Sequence, residues 1–499
     1  MRAPSVAKSA KLYATREVLL SAKPCLCRSF ISGSRVDTTL PLDQPRQAVY
    51  SRRRISKGSC LMTAASDVPM KVGVLGLWHL GSVTAACLAT AGIVTVAVDA
   101  DPQLVADFKR GEPPLFEPQL RELVREGVKK RTLAFTSNLS ALAAVDIVWV
   151  CYDTPVDEQD RADVARVVEQ IEAIFPHLRD QAVVLISAQL PVGTVAALEQ
   201  AFARGAGGRI VDFACSPENL RLGRAIFAFR NPGRIVVGVR NDRARRALSP
   251  LLTRLCDTLI WTTVESAEMV KHALNAFLAS AITLTNELAV ICEQVGADAA
   301  EVEAALRSDP RIGAEAYVRA GPAFGGGTLA RDIRYLLGLA QGYGLNVPVI
   351  ASVIASNDAH RAWMLDTLHA RLGSLRARKL AVLGLAYKPG TDAIRRSSAV
   401  ELVRQLIAER AQVSAFDPMV QASPSDIAAQ LILAPTAARA MTGAAAVVIA
   451  TEWPQFRTLT AEDFVTNMDG NLVVDPGRFL APTLAHDPRL KVVSIGAAS

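Results

Sequence analysis

Short apolar runs alternate with helical patterns twice along the chain, and one long apolar helix pattern separates the two series. In the first series, residues 71–77 read as an apolar strand, 81–91 as a helix and 94–98 as a second strand closed by Asp99. Further strands are predicted at 146–151, 182–187, 208–215 and 233–239. In the second series, strand 380–385 is followed by helix 399–409 and by strands at 413–416, 445–450 and 472–475. Continuous apolar strands that alternate with helices are the pattern of a parallel sheet covered on both faces. The chain is therefore predicted to be α/β, with two Rossmann-like doubly wound domains at 70–261 and 376–499, a central helical region at 262–375 and two nucleotide-sized clefts facing each other.

The helix predicted from Thr262 to Val295 organises the rest. Thr262 and Glu265 have capping-box spacing, and Gly296 stands where a helix stops. Over ~30 residues it would reach ~45 Å. Between Ala273 and Thr285 the strongly polar residue is Asn275, so the helix is expected to be buried against more than one neighbour. Its apolar run between charges is shorter than the ~18 residues a membrane span requires. Lys271 and Asn275 lie four apart and share a face; a buried ammonium there needs a partner or a substrate, unless Lys271 snorkels to solvent.

Charge changes the picture only at the start of the chain. The net charge is +7 over 499 residues. Residues 1–69 hold twelve basic and four acidic side chains, a net of +8, so the remainder is close to neutral at −1. A nucleic-acid surface on the folded body is not expected. The basic extension lacks periodicity and is expected to be disordered, either as a transit peptide or because the true start is Met62 or Met70. Eight cysteines without a C-x-x-C pair, and six scattered histidines, argue for a reducing, cytoplasmic setting with no disulfide frame and no metal site.

The first strand–turn–helix carries candidate chemistry. A glycine turn that opens a helix directs backbone N–H groups at a diphosphate, and an acid about 20 residues on can bind the ribose hydroxyls of NAD. Gly76-Leu77-Trp78-His79-Leu80-Gly81 is that turn and Asp99 that acid, although Trp78 stands where a second glycine lets the diphosphate approach; a Rossmann unit without a nucleotide is the alternative. Asp99 favours NAD over NADP, whose 2′-phosphate it would repel. Further along, residues 321–332 are too glycine-dense for a regular element and end in Arg331-Asp332, which feeds a helix at 333–343. They are expected to form a close-approach loop, the alternative being a flexible linker.

These separated motifs occur in order: Tyr152-Asp153-Thr154-Pro155, Pro191-Val192-Gly193-Thr194, residues 216–225, 268–275, 309–332, 386–397 and 451–457. Through them, residues 70–496 resemble the UDP-glucose/GDP-mannose dehydrogenase family. The resemblance implies an N-terminal domain for NAD, a C-terminal domain for a nucleotide sugar, and a central helix that joins them and forms much of a homodimer. Neither a nucleic-acid nor a membrane partner is expected, from the near-neutral body and the short apolar run of the helix. The family reaction takes carbon 6 of the sugar from alcohol to carboxylate in two hydride transfers, through a thioester on a cysteine. By match of motif, Lys271 and Asn275 would hold or deprotonate the carbon 6 oxygen, Asp332 would orient a water with Lys271, and Thr154 and Glu218 would assist proton transfer. Gly76, Trp78, His79, Leu80, Gly81, Asp99, Thr154 and Arg395 match cofactor contacts. Glu218, Asn219, Leu220, Lys271, Asn275, Arg311, Tyr317, Phe324, Gly325 and Lys388 match substrate contacts.

Three positions depart from the family: Thr328 replaces the cysteine, Trp78 the second glycine, and Leu222 the glutamate before Gly223. A threonine hydroxyl is a far weaker nucleophile than a thiolate at neutral pH. The expected function is NAD-dependent oxidation of a UDP-sugar at carbon 6 without a covalent cysteine intermediate. The alternatives are a two-electron dehydrogenase that stops at the aldehyde and a nucleotide-sugar binder without chemistry.

Overall fold

The computed structural model describes residues 70–113, 117–155, 162–218, 220, 222–325 and 327–497, so the basic extension 1–69 and Asn219 lie outside the described residues. The first sheet has strand order β3-β2-β1-β4-β5-β6-β7-β8, with β1 Lys71–Leu75, β2 Val94–Val98, β3 Leu133–Thr136, β4 Ile147–Val150, β5 Val183–Ile186, β6 Asp212–Cys215, β7 Ile235–Gly238 and β8 Leu259–Thr262. Neighbours run parallel except β6 and β7. The second sheet, all parallel, has the order β11-β10-β9-β12-β13-β14, with β9 Lys379–Leu383, β10 Gln412–Phe416, β11 Leu431–Leu433, β12 Ala446–Ile449, β13 Leu472–Val474 and β14 Lys491–Val493. In each sheet the order reverses beside the first strand, and in such sheets ligands bind at that switch point, outside the carboxyl ends of the strands.

The strands found by sequence are the interior ones. β4, β5, β6 and β12 are buried along their whole length, which is what makes them readable as apolar runs. The four that were not predicted, β3, β8, β11 and β14, are the edges of the two sheets.

The central helix runs Val264–Val295 and differs from expectation in three ways. Its cap is Thr263, whose side chain accepts the Ser266 N–H, while Thr262 ends β8. Second, it is not buried all round. Ala276 and Ala279 pack with Ile333, Leu336 and Val353 from helices Thr328–Gly342 and Pro348–His360, but Phe277, Leu284, Leu288, Ile291 and Val295 form an exposed stripe at heptad-like spacing. Third, by length and composition it could cross a membrane, although its inner face buries His272 and Asn275 against protein partners. Gly296, with φ +74, stops it as expected. The glycine-dense segment also ends earlier than expected: Thr328 opens the helix, so Arg331 and Asp332 lie on its first turn rather than in a loop.

Candidate active site at the carboxyl edge of the first sheet

The turn after β1 shows why its glycines are glycines. Gly76 has φ +88, and a Cβ there would stand 2.6 Å from the Tyr152 ring. A Cβ on Gly81 would collide with the Gly76 carbonyl. Trp78 has φ −74, a value any residue adopts, so the backbone does not demand glycine, and the residue is 49% exposed. Asp99, directly after β2, accepts the Leu77 N–H at 2.7 Å and the Asp101 N–H at 3.0 Å. The turn, the helix N-terminus at His79 and the acid fit a dinucleotide. Two features oppose a diphosphate: the Trp78 indole, and the Asp153 carboxylate, which faces the His79 and Leu80 N–H groups. His79 Nε2 also lies 3.3 Å from Glu117, a buried acid that caps helix Ala225–Arg230 through the Gly223 and Ala225 N–H groups.

Strand ends β4, β5 and β6 deliver Thr154, Gln189 and Glu218 to one cavity of about 230 Å³. Lys271 reaches it from the central helix, and Thr328 and Arg331 from the helix behind it; His79, Leu80 and Leu220 complete its lining. Asp332 is 1% exposed and fully engaged. Gln189 Nε2 donates to both its oxygens at 2.6 and 2.8 Å, Asn275 Nδ2 donates to Oδ2, and His272 Nδ1 lies 3.1 Å from Oδ1. Burial pushes the Asp332 carboxyl up, but hydrogen bonds from His272 and Asn275 and the charge of Arg331 outweigh it and hold the group below the usual carboxylate range. His272 Nε2 lies 3.2 Å from the Leu190 carbonyl. Both ring nitrogens therefore face acceptors. The Tyr335 ring packs on the imidazole at 4.1 Å, and its hydroxyl accepts the Val192 N–H.

Glu268, in the motif but without an assigned role, accepts the Gly193 and Val195 N–H groups and so locks the turn before helix Thr194–Gly205 to the central helix. Burial raises its carboxyl against these hydrogen bonds. Phe324 is pinned through both backbone groups by the Asn357 amide. A Cβ on Gly325 would meet the Arg396 carbonyl at 2.8 Å, which places the glycine loop directly against the second half. Lys388 lies over the Tyr387 ring and, with Arg395, belongs to the loop after β9 rather than to the cavity wall. Arg311, its side chain 87% exposed and paired with Asp309, and Tyr317 stand at the surface of this chain, away from the cavity.

Gln189, His272 and Arg331 were missed by sequence reasoning. Gln189 occupies a strand end as Thr154 and Glu218 do, and that position was the available signal; His272 and Arg331 are the sequence neighbours of Lys271 and Asp332. Among the described residues no thiolate stands in for the missing nucleophile. Burial pushes the thiols of Cys151 and Cys215 well up and that of Cys87 to about 12.

The sequence matches three consecutive domains of the UDP-glucose/GDP-mannose dehydrogenase family: the NAD binding domain over residues 70–256, the central domain over 265–359 and the UDP binding domain over 381–482. It is 35% identical over 414 residues to a UDP-glucose 6-dehydrogenase of Rhizobium meliloti, covering 81% of this chain and 94% of the relative. It is 33% identical over 429 residues to one of Pseudomonas aeruginosa, covering 83% and 94%. The fold superposes on a UDP-glucose dehydrogenase from Pyrobaculum islandicum with a TM-score of 0.77 and 29% identity, covering 88% of this chain and all of that one.

Proposed function

Because the chain belongs to the UDP-glucose/GDP-mannose dehydrogenase family and is an NAD-dependent oxidoreductase acting on the CH–OH group of a nucleotide sugar, we propose that it oxidises carbon 6 of a UDP-glucose-like sugar to the uronic acid without a covalent enzyme intermediate. The observation that carries this is one cavity that unites Lys271, Glu218, Thr154 and Thr328 beside the buried Asn275–Asp332 pair, with no described thiolate. NAD, when bound, accepts the hydride. The residues of the chain manage charge and protons. The Lys271 ammonium stabilises the carbon 6 oxygen as its proton passes to the Glu218 carboxylate, and Asn275 supplies a second polar contact held in place by Asp332. Hydration of the resulting aldehyde gives a gem-diol, and Lys271 and Glu218 hold its oxygens for the second hydride loss. Thr328, at the cavity edge, is a hydrogen-bonding wall.

Substitutions test this directly. Lys271→Ala should lose ~10²-fold or more in kcat, whereas Thr328→Ala should keep most of the activity. Equal inactivity of the two would make the hydroxyl essential and overturn the noncovalent route. The exposed stripe from Phe277 to Val295 supports a homodimer packed on the central helix. Light scattering of Leu284→Glu should then report monomers where the parent gives dimers.

A further inference from the structure

We propose that Gln189 is the positioning residue that holds Asp332 behind the wall of the reaction cavity by keeping it from a closer pairing with its sequence neighbour Arg331. The assignment rests on the dehydrogenase reading above. Its carboxamide lies between opposite charges: Arg331 Nη2 donates to Oε1, and Nε2 donates to both Asp332 oxygens. Only one orientation of the amide satisfies both partners, oxygen to the cation and nitrogen to the carboxylate. The carbonyl of the same residue accepts from Thr154 Oγ1 at 2.7 Å. One side chain and one carbonyl thus tie the end of β4 to the first turn of helix Thr328–Gly342.

What the amide prevents is visible in the spacing. Arg331 Nε already comes within 3.8 Å of Asp332 Oδ1. Without a group between them, two buried opposite charges close into a direct bidentate pair, which would draw Arg331 from the cavity wall and Asp332 from Asn275. The other charged or titratable groups facing this cluster are His272 on the central helix, Tyr335 on the same helix as Asp332, and Lys271, Asp153 and Glu218 on the cavity wall.

Gln189→Glu keeps the shape and replaces the donor by an acceptor. Two carboxylates this close share one proton, and they repel once it leaves. The variant should turn over within a few-fold of the parent near pH ~6, where the pair retains its proton, and fall about tenfold per pH unit above the second titration of the pair, with KM for the sugar nucleotide little changed. Gln189→Met, which donates at no pH, should show a constant deficit instead. The experiment records kcat with UDP-glucose and NAD, together with melting temperature, for the three proteins across the pH range. The melting difference between Gln189→Glu and the parent should widen as pH rises. A pH-independent kcat ratio together with a pH-independent melting difference overturns the proposal. A parent inert toward every nucleotide sugar defeats the substrate reading instead, and the melting series then decides on Gln189 alone.

Discussion

The two sheets use one construction at their switch points and end it differently. Gly76 leaves β1 with φ +88 against Tyr152, the second residue after β4; Gly384 leaves β9 with φ +93 against Thr451, the second residue after β12. Asp99 directly follows β2 and accepts the N–H of the residue after the glycine, at 2.7 Å from Leu77. Asp417 directly follows β10 and does the same at 2.7 Å from Leu385. There the likeness stops. Asp417 also takes the N–H groups of Ala386, Met419 and Val420 and the Trp453 indole, and is buried. Among the described residues Asp99 has one further donor, Asp101, and so retains free lone pairs. After Gly76 a helix begins at His79; after Gly384 comes a loop that carries Lys388, Arg395 and Arg396 before helix Ser398–Ala408. The shared part is scaffold. The difference lies in the segment after the glycine: backbone N–H groups at a helix start in the first sheet, a loop carrying cationic side chains in the second.

Asp417→Ala should break this comparison most severely. It leaves several buried N–H groups without a partner, so unfolding should be easier by about 3 kcal/mol or more, read by denaturant titration. Asp99→Ala should leave stability nearly unchanged and instead erode the preference for NAD over NADP in cofactor titrations. If Asp99→Ala destabilises as much as Asp417→Ala, both acids are scaffold and the contrast is wrong.

Acid titration probes the cluster around Asp332. The Asp332 carboxyl is held below its unfolded value, so its stabilisation is fully present above the ordinary ~3.9 and is lost as pH falls through the lowered folded value. Asp332→Asn should therefore melt lower than the parent at neutral pH, with the difference shrinking in acid; a gap that stays constant with pH would remove the electrostatic explanation. The smallest effects belong to the first switch point. Trp78→Gly and Asp153→Asn each remove an obstacle to the diphosphate, and each should tighten NAD by roughly fivefold, about 1 kcal/mol, measured by calorimetry. Weaker binding would show that these side chains instead contact the cofactor.

How far the sequence revealed this molecule depended on burial. Interior strands, covered on both faces, announce themselves as apolar runs. The edge strands β8 and β14 have no fully buried residue, and β3 alternates, so no run marks them. The central helix was legible in extent but not in environment, since its apolar residues serve both a core and an exposed stripe, and composition does not distinguish these. Lys271, Asn275 and Asp332 were identified by motif, yet their arrangement was not. The carboxylate is held by Gln189, a residue 143 positions away in sequence, and by His272. Such long-range pairing leaves no local pattern to read.

The central claim is that this site completes both oxidations without a thiol, and the amount of NADH formed per molecule of UDP-glucose consumed tests it most directly. With the sugar limiting and NAD in excess, the account predicts two NADH per sugar and a carboxylate product. One NADH per sugar, with aldehyde trapped by a hydrazine, would contradict it and place the end of the reaction at the missing cysteine.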